Sequence, residues 1–392
     1  SQGFMKLLMI TSLGSAKDLA SGKKGAFYNT LEEFSKHWER IDIIAPRDKR
    51  QETRDKILFG NVYVHVSPWP LAFHPFWFLK KGLEIYKEQK FNLMTVHEFP
   101  PFYNGIGARL LWQKIKVPYI IEILHIPGHP RAASVKESIY KFLFRLFIKF
   151  DVSKAKAVRA MNQKQVPDFL VHAGVPKEKI SYIPAIYIDL DTFKPMELSK
   201  EYDLIFIGRL EKNKGIGLLL EAMFEIKKLR NLEIEKNNYP ITQLPNYKLL
   251  IVGEGPLQES LKFKIKSLKL QDNILFYGWA KDSVEITELI NKSKILAMPS
   301  YNEGGPRVVV EAMACGVPVL ATPVGIVPDL IKSGESGEII DWNVEDIAIK
   351  AKELLSNTEK YNKYRQTGLE IAKQFEKKKA IKNYAEKLKQ LI

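Results

Sequence analysis

The sequence is poor in cysteine and in long apolar runs. Cys315 is the single cysteine among 392 residues, which excludes an intramolecular disulfide framework. No apolar run reaches the ~18–20 residues that a membrane-spanning helix needs. The first apolar segment, Leu7–Ile10, is also far too short for the core of a secretory signal. These absences predict a cytoplasmic protein without a membrane-spanning segment.

The composition lacks the biases of fibrous and disordered proteins. Hydrophobic residues make up 45% and charged residues 27% of the chain, as in ordinary globular proteins. Disorder, collagen and coiled coil are therefore excluded as the main architecture. At ~100–200 residues per domain, a chain of 392 residues predicts two domains.

Acidic residues are scarce in the first half of the chain, where positive charge accumulates. Residues 1–195 contain 30 Lys and Arg against 18 Asp and Glu, a net charge of +12. Residues 196–392 contain 30 against 27, a net charge of +3. A basic surface attracts nucleic acids, anionic membranes or phosphorylated substrates, and charge alone does not choose among them.

Short apolar runs alternate with helical patterns along the whole chain. Runs such as Lys6–Thr11 and Tyr202–Ile207 are typical of strands that are buried on both faces of a parallel sheet. Their alternation with helices predicts βαβ units and doubly wound sheets. The polar segment 191–201 separates two such series. Within the second series, 230–246 is predicted to be an exposed inserted loop.

The predicted fold class is α/β, with two Rossmann-like, doubly wound domains that face each other across a cleft. We expect an N-terminal domain over residues 1–190 and a C-terminal domain over 202–372, joined by the linker 191–201. A helix predicted over 373–392 could cross back to the N-terminal domain. Ligands of open parallel sheets bind beyond the carboxyl ends of the strands.

The most informative motif lies at 298–328, where a buried strand is followed by a Gly-rich turn and by a helix that begins near Arg307. Free backbone N–H groups at a helix start, together with the positive end of the helix dipole, form an anion site. Glu303 in the turn and Glu311 eight residues later can both face one bound ligand. Carboxylates suit sugar hydroxyls because they accept hydrogen bonds. The alternative for either glutamate is a solvated residue at a helix start.

A basic loop over 207–215 also follows a predicted strand and precedes a helix. Arg209 and Lys214 could converge on one diphosphate, the arginine through its bidentate fork and the lysine as a point charge. The alternative is a solvated loop on a basic protein. The position of the loop at a strand end, in the same half as Glu303, favours the phosphate site.

Together these features resemble the GT4 family of retaining glycosyltransferases, which have the GT-B fold and are also called glycosyl transferases group 1. The resemblance rests on Arg209, Lys214 and the E-x7-E pair within EGGPRVVVEAMACGVPV. It is closest over about residues 200–345 and continues more weakly over 5–195. Three further segments support it: 252–256 (VGEGP), 277–279 (YGW) and 333–337 (SGESG).

The resemblance implies transfer of a hexose-type sugar from a nucleotide-diphosphate sugar, UDP- or GDP-linked, with retention at the anomeric carbon. No metal or other cofactor would be required. Arg209 and Lys214 would bind the diphosphate, Glu311 the ribose, and Glu303 the sugar. The catalytic residues would be Arg209, Lys214, Glu303 and His125. The donor-binding residues would be Gly22, Gly25, Gly208, Gly253, Gly278, Trp279, Gly304, Gly305, Arg307 and Glu311.

The acceptor is expected in the N-terminal half. His97 and Glu98 follow a predicted strand and would lie on the acceptor side, although a structural role is the alternative for His97 and for His125. The stretch 67–78 is dense in aromatics, and the helix predicted over 138–150 carries a cationic stripe. Such a helix can lie on an anionic membrane, but a sheet-covering helix gives the same pattern. Both a lipid-linked acceptor at the inner membrane face and a phosphorylated soluble acceptor would explain the charge.

Two alternatives belong to other functional classes. A sugar-nucleotide epimerase of the same fold would turn over the donor without any acceptor. A nucleic-acid-binding protein would explain the basic charge, but no basic stripe lies within a recognised motif, and no nucleic-acid partner is expected. Asp189-Leu190-Asp191 is predicted to consist of turn residues rather than a metal site. The loop 126–133 is not typical of the family and leaves the acceptor open.

Overall fold

A computed structural model describes residues 5–11, 19, 25–45, 55–100, 102–184, 186–237 and 245–392. The chain divides into two compact units. The first contains the described residues of Ser1–Ile126, Ile139–Ala185 and Lys378–Ile392. The second contains Pro127–Ser138 and the described residues of Ile186–Lys377. None of the helices in these ranges has the length and apolarity needed to cross a membrane.

The first unit is built on an eight-stranded sheet with the order β3-β4-β2-β1-β5-β6-β7-β8. Strand β3 pairs antiparallel with β4, and the other described pairs are parallel. The strands are β1 (Lys6–Ile10), β2 (Arg40–Ala45), β3 (Lys56–Leu58), β4 (Val62–Val66), β5 (Leu93–His97), β6 (Tyr119–Ile123), β7 (Ala157–Ala160) and β8 (Ile180–Tyr182). The helices between them are α1 (Ala26–Phe34), α2 (His74–Gln89), α3 (Tyr103–Ile115), α4 (Val135–Val152) and α5 (Gln165–His172).

The second unit is built on a six-stranded parallel sheet with the order β11-β10-β9-β12-β13-β14. Its strands are β9 (Tyr202–Ile207), β10 (Leu249–Val252), β11 (Ile274–Gly278), β12 (Ser293–Met298), β13 (Val319–Ala321) and β14 (Glu338–Ile339). The remaining helices are α6 (Ile216–Asn237), α7 (Gln258–Ser267), α8 (Ser283–Asn291), α9 (Arg307–Ala314), α10 (Val327–Leu330), α11 (Val344–Ser356), α12 (Thr358–Lys373) and α13 (Lys377–Gln390). Single 3-10 turns lie at Ser35–His37, Leu71–Phe73, Lys177–Lys179 and Lys212–Lys214.

Strand β9 shows why the strand runs are apolar at nearly every position. Leu204 and Phe206 face one hydrophobic core, and Ile205 faces the other, since successive residues of a strand point to opposite faces. Helices cover both faces of this parallel sheet, so both sets of residues must be apolar. The two Rossmann-like α/β units that the alternation predicted are therefore confirmed.

One local expectation was wrong, and one strand was missed. The segment 230–246 was predicted to be a loop, but α6 continues as far as Asn237. No proline or glycine interrupts the sequence before Pro240, so nothing in it stops the helix earlier. Strand β3 was missed because its three residues, KIL, are too short to show a period.

The segment 191–201 was predicted to be a linker but lies within the second unit. Phe193 is buried in the core of that unit. The Lys200 ammonium donates to the carbonyl oxygens of Asn291 (2.7 Å) and Ser293 (2.8 Å). Because the segment is mostly polar, its sequence did not indicate that Phe193 is buried or that Lys200 makes two hydrogen bonds within the second unit.

The end of α13 belongs to the first unit, although it follows the whole of the second unit in the chain. The Tyr384 hydroxyl donates to Glu122 Oε1 at 2.7 Å. Arg159 Nη1 lies 2.6 Å from the same oxygen, and the Arg159 guanidinium carbon lies 3.7 Å from the centroid of the Tyr384 ring. These three buried side chains join β6, β7 and α13.

Candidate active site

Three glycines lie side by side at the carboxyl ends of β9, β10 and β11. The Gly208 N–H donates to the Val252 carbonyl (3.0 Å), and the Gly253 N–H donates to the Gly278 carbonyl (2.7 Å). Gly253 has φ +133°, and a Cβ atom there would lie 2.0 Å from the Gly208 carbonyl oxygen. Side chains are therefore excluded from this close approach, which leaves a backbone surface at the end of the sheet where ligands of such folds bind.

The basic loop after β9 brings its two predicted phosphate ligands to different places. Arg209 is exposed, and its Nη1 lies 3.0 Å from Glu211 Oε1. Lys214 is largely covered, and its Nζ lies 2.5 Å from Glu303 Oε1. Gly215 follows in a left-handed turn (φ +67°), where a Cβ atom would lie 1.9 Å from the Pro299 carbonyl oxygen. This turn holds Lys214 against the loop that carries Glu303.

That loop, residues 299–306, is called the donor loop below. The Ser300 hydroxyl donates to Glu303 Oε1 at 3.0 Å, which fixes the carboxylate from a second side. The Ser300 carbonyl accepts from Thr322 Oγ1 (2.6 Å) and from Trp342 Nε1 (2.9 Å). Ser300 therefore fixes the Glu303 carboxylate and is itself fixed by the hydrogen bonds from Thr322 and Trp342.

A cavity of ≈ 270 Å³ lies beside the Lys214–Glu303 pair at the start of α9. The first amides of a helix have no acceptor within the helix, so those of Arg307 and Val308 can bind an anion in this cavity. Pro306 at the helix cap has no N–H to contribute. The lining residues are Phe206, Ile207, Lys214, Met298, Ser300, Glu303, Gly305, Pro306, Arg307 and Val308.

The structure therefore brings together four of the predicted donor-site residues: Lys214, Glu303, Gly305 and Arg307. Arg209, Gly304 and Glu311 do not line this cavity. Glu311 is largely covered, one turn into α9, where Arg307 Nε lies 3.1 Å from its Oε1. Burial raises the pKa of the Glu311 carboxyl, and the Arg307 charge opposes that rise.

Trp279 projects from the end of the sheet. Its side chain is exposed, and it follows Gly278, which adopts φ +85°. The preceding residue, Tyr277, donates its hydroxyl to Glu285 Oε1 at 2.7 Å and is tied to α8. An exposed indole beside a backbone turn offers a flat face on which a planar ring can stack.

The chain was then compared with known proteins. Residues 189–370 match the family model described as glycosyl transferases group 1. The chain is 28% identical to the Campylobacter jejuni GalNAc-α-(1→4)-GalNAc-α-(1→3)-diNAcBac-PP-undecaprenol α-1,4-N-acetyl-D-galactosaminyltransferase, over 79% of this chain and 76% of that protein. Among solved structures it is similar to sucrose-phosphate synthase from Thermosynechococcus elongatus, with a TM-score of 0.77, 16% identity and 99% of each chain covered.

A second solved structure, Anabaena HepE in complex with UDP and glucose, has a TM-score of 0.71 and 20% identity, and covers 98% of this chain and 100% of its own. The chain is a glycosyltransferase of the GT-B fold. Residues 189–370 thus match the family that the motifs between β9 and α9 resemble.

In the first unit, the glycosyltransferase places His97 at the end of β5 and His125 two residues beyond β6, a neighbouring strand. Burial lowers the pKa of His97 to about 4, and the His125 ring acts in the same direction. His97 is therefore a neutral imidazole near pH 7. Gly25 caps α1, and Gly22 lies outside the described residues.

Glu98 was expected on the acceptor side, but its carboxyl group points into the first unit. The side chain is fully buried, and a Cβ atom at Gly105 would lie 1.9 Å from Glu98 Oε2. Burial raises the pKa of Glu98 and the neighbouring Asp151 raises it further, while burial raises the pKa of Asp151 itself to about 7. The two carboxyl groups form a buried acid pair, which is a structural arrangement rather than an acceptor contact.

The sequence did not identify the residues that support the donor loop. Ser300 had a weak signal, because a hydroxyl three residues before Glu303 can reach its carboxylate. Thr322 and Trp342 had none, since they meet the loop only through the folded sheet.

The Asp189 side chain of the Asp189-Leu190-Asp191 segment serves a local turn rather than a metal ion. Asp189 accepts hydrogen bonds from the Asp191 N–H (3.0 Å) and from Thr192 Oγ1 (3.2 Å), so its carboxylate caps a local turn. Across the described part of the glycosyltransferase, no group of three or more His, Cys, Asp and Glu side chains could hold a metal ion.

Proposed function

We propose that this glycosyltransferase moves a hexose-type sugar from a UDP- or GDP-sugar to an acceptor hydroxyl, with retention at the anomeric carbon and without a required metal. The observation that carries this proposal is the meeting of Lys214, Glu303 and the free amides of α9 at one cavity. A cation and backbone donors suit a diphosphate, and a carboxylate suits sugar hydroxyls. The complex of HepE with UDP and glucose supports a uridine donor.

In the proposed reaction, the bond between the anomeric carbon and the phosphate oxygen breaks, and negative charge builds on the departing diphosphate. Lys214 and the first amides of α9 stabilise that charge because they are already fixed in place. The acceptor oxygen forms its bond on the face that the nucleotide leaves. The proton of the acceptor hydroxyl passes to the departing phosphate oxygen, so no flanking carboxylate pair is needed.

The remaining donor and acceptor residues take part in the same proposal. The Arg209 side chain is exposed, so it can leave Glu211 and turn to a bound diphosphate. In this proposal Glu311 binds the ribose and the exposed Trp279 ring stacks on the base. His125 and Gly25 remain proposed catalytic and donor-binding residues.

Nucleotide binding tests the proposal directly. Thermal melting with UDP, GDP and their sugars should show a shift for one base, since a ligand at ~100 times its dissociation constant stabilises a protein by ~2.7 kcal/mol. Transfer with that donor should persist in EDTA and give a product of unchanged anomeric configuration by NMR. Turnover of the donor alone would instead indicate an epimerase. Absence of a shift with every nucleotide would contradict the proposed donor site.

We propose further that the enzyme works at the surface of an anionic membrane, through α4. Five large apolar side chains on this helix are between 47% and 61% exposed: Ile139, Phe142, Leu146, Phe147 and Phe150. Phe144 and Ile148 on the opposite side are buried in the core. The cationic residues Lys141, Arg145 and Lys149 lie on the same helix. An exposed apolar face with basic neighbours suits an anionic bilayer.

Replacing Phe142 and Leu146 together by glutamine should reduce binding to phosphatidylglycerol vesicles at least tenfold. Each large apolar side chain contributes ~1.5–3 kcal/mol when fully buried, and insertion at a membrane surface uses part of that. Co-sedimentation with vesicles measures the effect. The matched control is Phe263→Gln on α7, where the phenyl ring is 75% exposed in the other unit. Equal binding by the double variant and the wild type would refute the assignment of α4.

A further inference from the structure

Residues Pro127–Ser138, the crossing segment, lie in sequence among elements of the first unit but belong to the second. The segment is attached to the donor loop through Asn302, whose side chain is fully buried. Asn302 Nδ2 donates to the Arg131 carbonyl (3.0 Å) and to Glu137 Oε2 (2.8 Å). Glu137 Oε2 also accepts from the Ala133 N–H at 2.7 Å. The crossing segment is thus fixed on the loop that carries Glu303.

This attachment positions the Arg131 side chain. The Arg131 N–H donates to the Tyr301 carbonyl at 3.3 Å. Its guanidinium carbon lies 5.6 Å from the Tyr301 ring centroid and 5.4 Å from the Trp342 ring centroid. Those two rings stack on each other at an interplanar angle of 14°. Aromatic rings hold a guanidinium group without using its N–H groups as hydrogen-bond donors, so these stay available for an anion.

Arg131 faces a second pocket of ≈ 520 Å³ in the same unit. The charged residues that line it are Arg131, Glu211, Lys212 and Lys264. Glu211 is paired with Arg209, and Lys264 with Glu221. Among the described residues, no carboxylate lies within ion-pair distance of Arg131 or Lys212. Two unpaired cations therefore line one pocket.

The second pocket adjoins the donor site. Lys212 and Gly215 line it, whereas Lys214 from the same turn lines the cavity beside Glu303. Tyr301 of the donor loop is part of its wall. A group bound here would lie next to the transferred sugar without competing with the donor for Lys214.

We propose that this pocket binds a phosphate group of the acceptor, and this inference rests on the proposed transfer reaction. Arg131 engages the phosphate through its planar fork and Lys212 as a point charge. Either a soluble sugar phosphate or a lipid-linked phosphate offers this chemistry. Through Arg131, the crossing segment therefore selects acceptors by their phosphate.

Calorimetric titration of the full chain tests the pocket. The probes are glycerol 3-phosphate, as a soluble phosphate, and farnesyl phosphate in detergent micelles, as a lipid phosphate. Each is titrated with and without saturating UDP, which occupies the donor cavity. Arg131→Ala and Lys212→Ala should each weaken binding about 10- to 100-fold, as expected for loss of a charge-assisted hydrogen bond. The control Lys262→Ala, at an exposed lysine on α7, should leave binding unchanged.

A steric variant complements the charge variants. A Cβ atom at Gly217 would meet only Lys264 Nζ, at 3.7 Å, so a leucine there can enter the pocket without a clash. Gly217→Leu should abolish phosphate binding while the melting shift with UDP persists. Wild-type binding by Arg131→Ala, or no probe binding by the wild type, would overturn the proposal. If UDP does not bind, the donor proposal fails, and the titrations without UDP still decide the pocket.

Discussion

Replacing Lys214 by alanine is expected to lower the turnover number by about 10²–10³-fold, as loss of a preorganised electrostatic contact in an active site does. The change removes the covered cation at the donor cavity and leaves Glu303 with Ser300 as its remaining side-chain partner. The negative charge on the departing diphosphate would then be stabilised only by the amides of α9 and by Arg209. Steady-state transfer assays at saturating donor measure the loss.

Lys262→Ala is the matched control for this variant, because its ammonium pairs with Glu259 on the surface of α7. Lys214→Arg keeps the charge but cannot keep the point contact with Glu303, so an intermediate rate is expected. Melting curves with and without nucleotide separate lost binding from lost chemistry. If the turnover number of Lys214→Ala were within threefold of that of the wild type, the proposed catalytic role of this lysine would be wrong.

Replacing Arg159 by leucine is expected to lower the free energy of unfolding by about 3–5 kcal/mol, the usual cost of breaking a buried ion pair from one side. The Glu122 carboxyl group would be left in the core of the first unit with the Tyr384 hydroxyl as its remaining side-chain partner. The backbone carbonyl of Ile183 would also lose its donor, Arg159 Nε at 2.9 Å. Urea unfolding followed by circular dichroism measures the loss.

Arg145→Leu provides the comparison for Arg159→Leu, since the Arg145 side chain is exposed on α4. Its effect should stay within about 0.5 kcal/mol, as for most surface changes. Tyr384→Phe removes one hydrogen bond to a charged group and should cost about 1.5–3 kcal/mol. An unfolding free energy of Arg159→Leu equal to that of the wild type would show that the pair contributes no net stability.

The sequence predicted the sheets well because parallel strands have a local signature. Strand β9 is apolar at nearly every position since both of its faces are covered, and that pattern needs no knowledge of distant residues. The same holds for the turn after β12, where Glu303 and the start of α9 lie within a few residues of each other. Local spacing therefore sufficed to predict that Glu303 and Arg307 share a site.

Features that depend on distant contacts were not predictable in this way. Glu98 follows β5 like a ligand-binding residue, but its partner Asp151 comes 53 positions later, and only the folded first unit shows them together. The crossing segment is a sharper case, because nothing in its sequence indicates which unit it packs on. Its attachment depends on Asn302, and the sequence gives no local sign of that contact.

Because α13 belongs to the first unit, that unit cannot be completed until α13 has been synthesised. Tyr384 bonds to Glu122, a partner 262 positions earlier in the chain. Domains usually fold from the N-terminus as the ribosome releases them. Here Glu122 and Arg159 of the first unit lack their tyrosine until the whole of the second unit has been translated. The first unit is therefore completed only after the second has emerged, and a chain that ends before α13 carries the defect in the unit that was made first.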